Sequence, residues 1–368
     1  MKEVYLCNRI NQIIFKMKKN LRNILALSLG LMTTVAFAQD WGADSRTRIN
    51  MSGDNDLRST DQRVTVGTTW GGSDWGIHIS SDVNYTFMNG NAGTAEVHAE
   101  LYEAYASTDL MGYASLTAGR QALNYGSGAL MSTNDWGTNR TTWDGLTFGL
   151  NFDMADVTIG YHSQNAGGEE DENNGNMWLN LGGEFSGWNV NFLYMSDEVN
   201  GESGDAATGI DLSGEVSGAT VSASINRDFT GGEMNSLGLS YAINDDMSIH
   251  GNYTTYGDSA FHMDGTNMDN KDANGVADYA RTGNIGYLGA NEEDMSLGLT
   301  YTMGAISLGA TMHQITNSED EDYERDVMEI SLGYTLNDNS NLSLNYATDQ
   351  VGDNDEMKYM WLTLNVGL

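Results

Sequence analysis

From about residue 44 to the end of the chain, apolar and polar residues alternate with a period of two. In the last segment, Leu362, Leu364 and Val366 alternate with Thr363 and Asn365. Because residues two apart point to the same side of a β-strand, each segment has one apolar face and one polar face. The polar faces carry mostly Ser, Thr, Gly and Asn, which suits a water-filled lumen inside a barrel whose apolar face contacts lipid.

Eighteen segments show this alternation, and most are about 8 to 12 residues long, the length that a tilted strand needs to cross a bilayer. Connections after even-numbered segments are short, such as Ser186-Gly187 and Ser217-Gly218, whereas most of those after odd-numbered segments are longer and acidic. Short periplasmic turns and long extracellular loops are typical of outer-membrane barrels. The pattern predicts an all-β transmembrane fold, an antiparallel up-and-down β-barrel of 18 strands or, as the alternative, 16, with both termini in the periplasm. The predicted segments are 44–51, 61–70, 75–87, 95–108, 113–120, 142–152, 156–164, 176–185, 188–196, 207–216, 219–227, 234–242, 247–256, 295–303, 305–315, 326–336, 341–348 and 357–368.

The N-terminus has the features of an export signal. A basic stretch at residues 17–22 precedes an apolar run from Ile24 to Phe37, and the run ends in the small-x-small sequence Ala36-Phe37-Ala38. This order predicts a signal peptide that is cleaved in a Gram-negative bacterium. Residues 1–38 are therefore predicted to be an N-terminal extension and a removed signal peptide, and residues 39–368 a single barrel domain. Whether residues 1–16 are translated stays open.

Charge and composition narrow the class further. The chain has 17 Lys and Arg against 51 Asp and Glu, and the predicted cleavage removes six basic residues, one acidic residue and the one cysteine, leaving 11 basic and 50 acidic residues. Nucleic acid is excluded as a partner, because binding its phosphates needs a basic surface. An α-helical membrane protein is also excluded, because no stretch reaches the ~18–20 apolar residues of a transmembrane helix. Proline is absent, as expected for strands that use every backbone N–H.

Tyrosines recur at two levels of the predicted barrel. Tyr241, Tyr301 and Tyr334 lie near the short-turn ends of descending segments, whereas Tyr253 and Tyr346 lie near the opposite ends of ascending ones. Tyrosine favours the membrane interface, because its ring lies in lipid while its hydroxyl stays in water. The two levels predict the aromatic girdles of a transmembrane barrel.

One stretch, within residues 116–146, resembles a known family. Its residues are Gly119-Arg120-Gln121, Gly126, Asp135-Trp136, Arg140 and Asp144-Gly145. They resemble the Gly-Arg-Gln…Gly…Asp-Trp…Arg…Asp-Gly pattern of alginate-export-type porins. The resemblance implies a monomeric 18-stranded outer-membrane barrel that acts as a passive channel. It does not imply alginate, because a channel for that polyanion is expected to have a lumen lined by Arg and Lys, and only 11 basic residues follow the leader.

The phase of the alternation predicts which charged side chains line the pore. The predicted pore-lining residues are Arg46, Arg48, Arg63, Asp82, Glu96, Glu100, Asp211, Glu215 and Glu329, with Arg120 near the upper end of the fifth segment and Arg140 in the connection after it. Two interpretations stay open for these charges: a constriction whose transverse field sorts solutes, or ion pairs that stiffen the wall. A further structural role for Arg120 and Arg140 is to hold their glycine-rich connection against the wall.

The long connection 257–294 contains a sequence similar to short calcium loops. Asn270, Asp272, Asn274 and Asp278 place oxygen-bearing side chains at alternating or nearby positions, and Gly275 supplies a turn. The alternative interpretation is an acidic, solvated loop with Asx turns. The connection either folds inward to narrow the pore or caps the barrel.

These features predict a passive diffusion channel for small hydrophilic solutes or ions, with a preference for cations because of the acidic charge. The alternative is a non-conducting outer-membrane barrel with a structural, adhesion or secretion role. None of the six histidines lies in a recognisable nucleophile motif, so we predict no enzyme and no required cofactor; Ca²⁺ at residues 270–278 is the one candidate ion. Outer-membrane lipid and lipopolysaccharide are the expected partners, and both a monomer and a homotrimer stay open.

Overall fold

The computed structural model describes residues 39–52, 59–87, 97–137, 140–152, 154–165, 173–199, 202–269 and 285–367. No helix among these residues is long and apolar enough to cross a membrane. They form eighteen strands: β1 (Gln39–Asn50), β2 (Thr60–Gly71), β3 (Trp75–Thr86), β4 (Val97–Asp109), β5 (Ser115–Gln121), β6 (Trp143–Phe152), β7 (Ala155–Asn165), β8 (Asn173–Phe185), β9 (Trp188–Val199), β10 (Glu202–Val216), β11 (Ala219–Arg227), β12 (Glu233–Asn244), β13 (Met247–Tyr256), β14 (Glu292–Met303), β15 (Ile306–Asn317), β16 (Glu324–Asn337), β17 (Ser340–Val351) and β18 (Met357–Gly367).

Each strand pairs antiparallel with its neighbours in chain order, and β1 pairs with β18 to close the sheet. In the closing ladder Arg46 lies opposite Asn365, and Ile49 lies opposite Leu362. Closure leaves no strand edge unpaired around the ring, which is a requirement for a sheet in lipid. The prediction of an 18-stranded barrel is therefore confirmed, and the alternative of 16 strands is wrong.

The strands differ from the predicted segments mainly in where they begin and end. β1 begins at Gln39 rather than residue 44, and β10 begins at Glu202 rather than residue 207. Small residues such as Gly42 and Ala206 carry no alternation signal, but their backbones still join the ladders to the neighbouring strands. β4 begins at Val97, so the predicted pore residue Glu96 lies outside the described residues.

Tight turns connect the strands at one end of the barrel. Ser186 and Gly187 both have positive φ, 55° and 82°, and Ser217 and Gly218 have nearly the same values, 55° and 83°. Two consecutive residues with positive φ are characteristic of a type I′ turn, whose twist matches that of the flanking strands. The predicted short turns at these positions are confirmed.

The outer surface of the barrel is apolar. Leu237, Leu297 and Met312 each expose more than half of their surface. Tyr241 and Tyr253 are also exposed, near the lower and upper ends of neighbouring strands, as the girdle prediction requires. Such a continuous exposed apolar surface is stable only in lipid. The chain is therefore an integral membrane barrel, and its even number of antiparallel strands is typical of bacterial outer-membrane proteins.

In addition to the apolar outer surface, the barrel has a cluster of buried apolar side chains in the upper part of its lumen, which the alternation did not predict. Met195, Ile315 and Trp361 are almost fully buried, although apolar side chains on the outer face are exposed. They pack inside the barrel against two inward connections, which we call loop 3 (residues 122–142) and loop 7 (residues 257–291). The described parts of the long connection, residues 257–269 and 285–291, therefore fold inward.

Candidate pore constriction

Loop 3 crosses the whole lumen. Near its start, the Ser127 backbone N–H donates to Asp211 Oδ2 on β10 at 3.0 Å, and the Ser127 hydroxyl lies 3.3 Å from the Ser224 hydroxyl on β11. Ten residues further on, the Gly137 carbonyl accepts a hydrogen bond from Arg46 on β1. β10 is nine strands from β1 in either direction around the ring, so loop 3 spans the barrel from one wall to the opposite one.

Three of the predicted pore arginines hold the far end of loop 3. Arg46 Nη1 donates to the Asp135 carbonyl at 2.5 Å, and Arg48 Nη1 donates to the Trp136 carbonyl at 2.7 Å. Arg63 Nη1 reaches the Asp135 carbonyl at 3.2 Å, and the Arg48 guanidinium also lies 4.4 Å from the centre of the Trp136 ring. All three side chains face inward, but their hydrogen bonds go to the backbone of loop 3. Their positive charge is used to fix the loop as well as to line the pore.

Arg140 anchors the returning arm of loop 3 to β3. Its guanidinium binds both oxygens of Asp82, at 2.6 and 3.0 Å, and lies 3.3 Å from the centre of the Tyr102 ring. Asp82 is fully buried and also accepts a hydrogen bond from Thr65. Burial alone lowers the pKa of Arg140, but the hydrogen bonds and charge of Asp82 outweigh burial and raise it above its ordinary value. This geometry supports the loop-holding role that the sequence left open for Arg140.

Loop 7 packs on top of loop 3 through buried polar contacts. The Tyr287 hydroxyl donates to the Ala129 carbonyl at 2.6 Å and also contacts the Thr266 hydroxyl. Asn267 accepts from the Asp135 N–H at 3.1 Å, and its own N–H donates to the Ser132 hydroxyl at 2.8 Å. Because Tyr287 is fully buried, these contacts fix one loop against the other and narrow the upper lumen.

Arg120 lies on the outer face, which corrects its prediction as a pore-lining residue. In the register, Arg120 lies opposite Asp144 of β6, which has the same phase as the exposed Leu146. Its guanidinium forms two hydrogen bonds with the Asp144 carboxylate, at 2.7 and 2.5 Å, and a third with the Leu101 carbonyl at 3.2 Å. Arg120 is the second-last residue of β5, and the Leu101 carbonyl that accepts its third hydrogen bond belongs to the neighbouring strand β4.

The predicted acids are distributed over the wall. Glu100 accepts a hydrogen bond from Asn84, whereas Glu329 lies 4.0 Å from His313 on the neighbouring strand. Glu215 faces inward near the lower end of β10, because it has the same phase as Asp211.

The predicted calcium ligands Asn270, Asp272, Asn274 and Asp278 lie outside the described residues, so the calcium loop stays a prediction.

Two side-chain pairs in the lumen, an Arg–Asp ion pair and a His–Asp hydrogen bond, were missed at the sequence level. Arg325 binds both oxygens of Asp349 at 2.7 and 2.8 Å, and His313 lies 2.9 Å from Asp294. Arg325 was missed because the predicted segment begins at residue 326, whereas β16 begins at Glu324. Extending the phase of the strand by one residue would have placed the Arg325 side chain inside.

The buried inner cluster also left a signal in the sequence. Residues 192–195 are all apolar, and so are residues 359–362. A continuous apolar run indicates a strand that is buried on both faces, here by lipid outside and by the inward loops inside. Such runs occur where β9 and β18 pass the level of loop 3.

Comparison with solved structures supports the fold. The chain is similar to the outer membrane protein OpdK of Pseudomonas aeruginosa, solved with vanillate, with a TM-score of 0.67 and 13% identity over 90% of this chain and 100% of that one. It is also similar to OccAB4 of Acinetobacter baumannii, with a TM-score of 0.63 and 12% identity over 90% of this chain and 98% of that one. At these identities the similarity establishes the outer-membrane porin fold. No protein-family model and no curated protein sequence matches the chain.

Proposed function

We propose that this barrel is a passive channel for small hydrophilic solutes and that it prefers cations. The observation that carries the proposal is the polarity of the lumen wall opposite the arginine row. From β10 to β15, the inward positions below the loops are mainly Ser, Thr, Asn and Gly, as in Ser222, Ser236 and Asn252. Small polar side chains leave room for water and offer hydrogen bonds to a passing solute.

The distribution of charge supports the cation preference. Among the described Lys and Arg residues that face the lumen, Arg140 and Arg325 are paired with carboxylates, whereas Arg46, Arg48 and Arg63 donate to neutral carbonyls of loop 3 at one wall. Asp211 and Glu215, in contrast, form no ion pair within the described residues. Because these carboxylates lie on the wall opposite the arginine row, they give that side of the lumen a negative potential, which concentrates cations there.

The name of one similar structure indicates a different solute class. OpdK was solved with vanillate, a carboxylate. In this chain the arginines that face the lumen already have partners, and the acids outnumber them, so we do not extend an anionic substrate to it. The alginate-export-type resemblance stays a prediction about family, with no support for a polyanion as solute.

A swelling assay with proteoliposomes tests whether solutes pass at all. Liposomes that contain the refolded chain are expected to swell in isotonic glucose, and to swell more slowly in isotonic trisaccharide, because loops 3 and 7 occupy part of the lumen. Liposomes with heat-denatured protein provide the control. Swelling at the control rate in both sugars would contradict the channel.

The alternative is a barrel closed to solutes, with a structural, adhesion or secretion role. The observation that favours it is the apolar packing of Phe261, Tyr287 and Leu130 inside the upper lumen. The absence of swelling from correctly folded protein would support this alternative.

Further expectations concern the surroundings of the barrel. We propose that the acidic extracellular connections bind divalent cations at the lipopolysaccharide surface, including Ca²⁺ at residues 270–278. Outer-membrane lipid is the expected partner of the apolar belt. Both a monomer and a homotrimer are compatible with the closed barrel.

A further inference from the structure

A cavity of about 590 Å³ lies between the tip of loop 3 and the wall formed by β8 to β12. Its volume is within the range of small-molecule sites, about 300–1,000 Å³. The polar lining consists of hydroxyl, amide and carboxylate groups, including Ser127, Ser213, Ser222, Asn189, Glu184 and Asp211, and no lysine or arginine lines it. The cavity therefore offers acceptors and neutral donors but no positive charge.

Two carboxylates line this cavity, those of Glu184 and Asp211, and Asp211 is the one that contacts the tip of loop 3. One oxygen accepts from the Ser127 N–H at 3.0 Å, and the other accepts from the Ser224 hydroxyl at 2.5 Å. Both partners are neutral, whereas the carboxylates of Asp82 and Asp349 each bind a guanidinium. Because both partners are neutral, no neighbouring cation compensates the Asp211 carboxylate, which can therefore attract a cationic solute.

Loop 3 is shaped to meet this carboxylate. Gly126 has a φ of +57°, in the left-handed region that favours glycine. A Cβ atom at Gly126 would overlap the Asp211 carboxylate, so any larger residue would displace either the carboxylate or the loop tip. The absence of a side chain at Gly126 lets the backbone of loop 3 close one side of the cavity.

We propose that this cavity is a binding subsite for a small solute that carries an ammonium group and several hydroxyls, such as an amino sugar. Asp211 would bind the ammonium, and the serine hydroxyls would bind the hydroxyls of the solute. The inference rests on the proposed function, because a subsite in the lumen acts only on solutes that enter it. It adds a substrate class and the residue that selects it.

Interruption of the ionic current by glucosamine tests the subsite. In a planar bilayer, glucosamine is expected to block the current of the unmodified chain transiently, whereas glucose, which lacks the ammonium group, is not. Asp211→Asn is expected to raise the half-blocking concentration about tenfold, the size of effect for a lost hydrogen bond to a charged group. Glu215→Gln removes the same charge from the same face of β10 but lies outside the cavity lining, so it is expected to leave the block unchanged.

The other outcomes separate the subsite from the channel. The role of Asp211 would be overturned if glucosamine had the same half-blocking concentration for the unmodified chain and for Asp211→Asn. It would also be overturned if Glu215→Gln weakened the block as much as Asp211→Asn does. Equal block by cyclohexylammonium, which has no hydroxyls, would overturn the hydroxyl part of the substrate class. A steady current without any glucosamine block would overturn the subsite and leave the channel, whereas folded protein without current would overturn both.

Discussion

Replacing Asp82 with alanine is expected to release loop 3 from the wall and to raise the single-channel conductance. Asp82 is fully buried and holds the Arg140 guanidinium at 2.6 and 3.0 Å. Removing one partner of a buried ion pair leaves an unpaired charge and costs about 3–5 kcal/mol. Because the stranded charge belongs to loop 3, that cost disfavours the inward position of the loop. Larger and noisier current steps in a planar bilayer are the expected result.

Asp144→Ala is the matched control for this variant. It also removes a carboxylate that binds an arginine through two hydrogen bonds, but on the outer face of the barrel. Both side chains of that pair lie outside the lumen, so its loss is expected to leave the conductance unchanged. Asp82→Asn, which keeps an acceptor for Thr65, serves if the alanine variant does not fold. Unchanged conductance in both Asp82 variants would contradict the anchoring role.

The double variant Ser127→Cys/Ser224→Cys is expected to form a disulfide that locks loop 3 across the lumen. The two hydroxyl oxygens are 3.3 Å apart although the residues are 97 positions apart in the chain. Closing a loop of this length stabilises a protein by roughly 4–5 kcal/mol in the chain-entropy model. Residues 39–368 contain no cysteine, so a mobility shift on a non-reducing gel would come from this pair alone.

A second pair controls for accidental cross-linking. Ser343 faces the lumen from β17, six strands from β11, so Ser127→Cys/Ser343→Cys is expected to stay reduced. In the background of Asp82→Ala, the Ser127–Ser224 cross-link is expected to restore the lower conductance, and reduction to raise it again. Failure of the first pair to cross-link in folded protein would contradict the path of loop 3.

Most of the wall was predictable from sequence because alternation is a local property of a strand in lipid. The inward positions of Arg46, Arg48 and Arg63 follow from the phase of apolar neighbours two residues away. Arg120 was assigned to the wrong face because a charged residue on the lipid side contradicts the general pattern. Its compensating partner, Asp144, is 24 residues further along the chain, on the neighbouring strand.

The path of loop 3 could not be predicted from local pattern. Its anchors are contacts between residues far apart in the chain, such as the hydrogen bond from Arg48 to the Trp136 carbonyl, 88 positions away. The loop-holding role of Arg140 was foreseen as one option, but its partner Asp82 was expected to line an open pore. The structure shows instead that Asp82 is buried beneath the loop.

As a cation-preferring channel, the lumen is expected to conduct ions, with cations selected by the carboxylates on the wall opposite the arginine row. The most direct test is the reversal potential of single channels in a planar bilayer under a KCl gradient. The predicted result is steady current steps whose reversal potential is shifted towards the equilibrium potential of K⁺. A reversal potential on the Cl⁻ side would contradict the charge assignment and shift the selecting role to Arg46, Arg48 and Arg63, and the absence of steps from folded, heat-modifiable protein would contradict the channel itself.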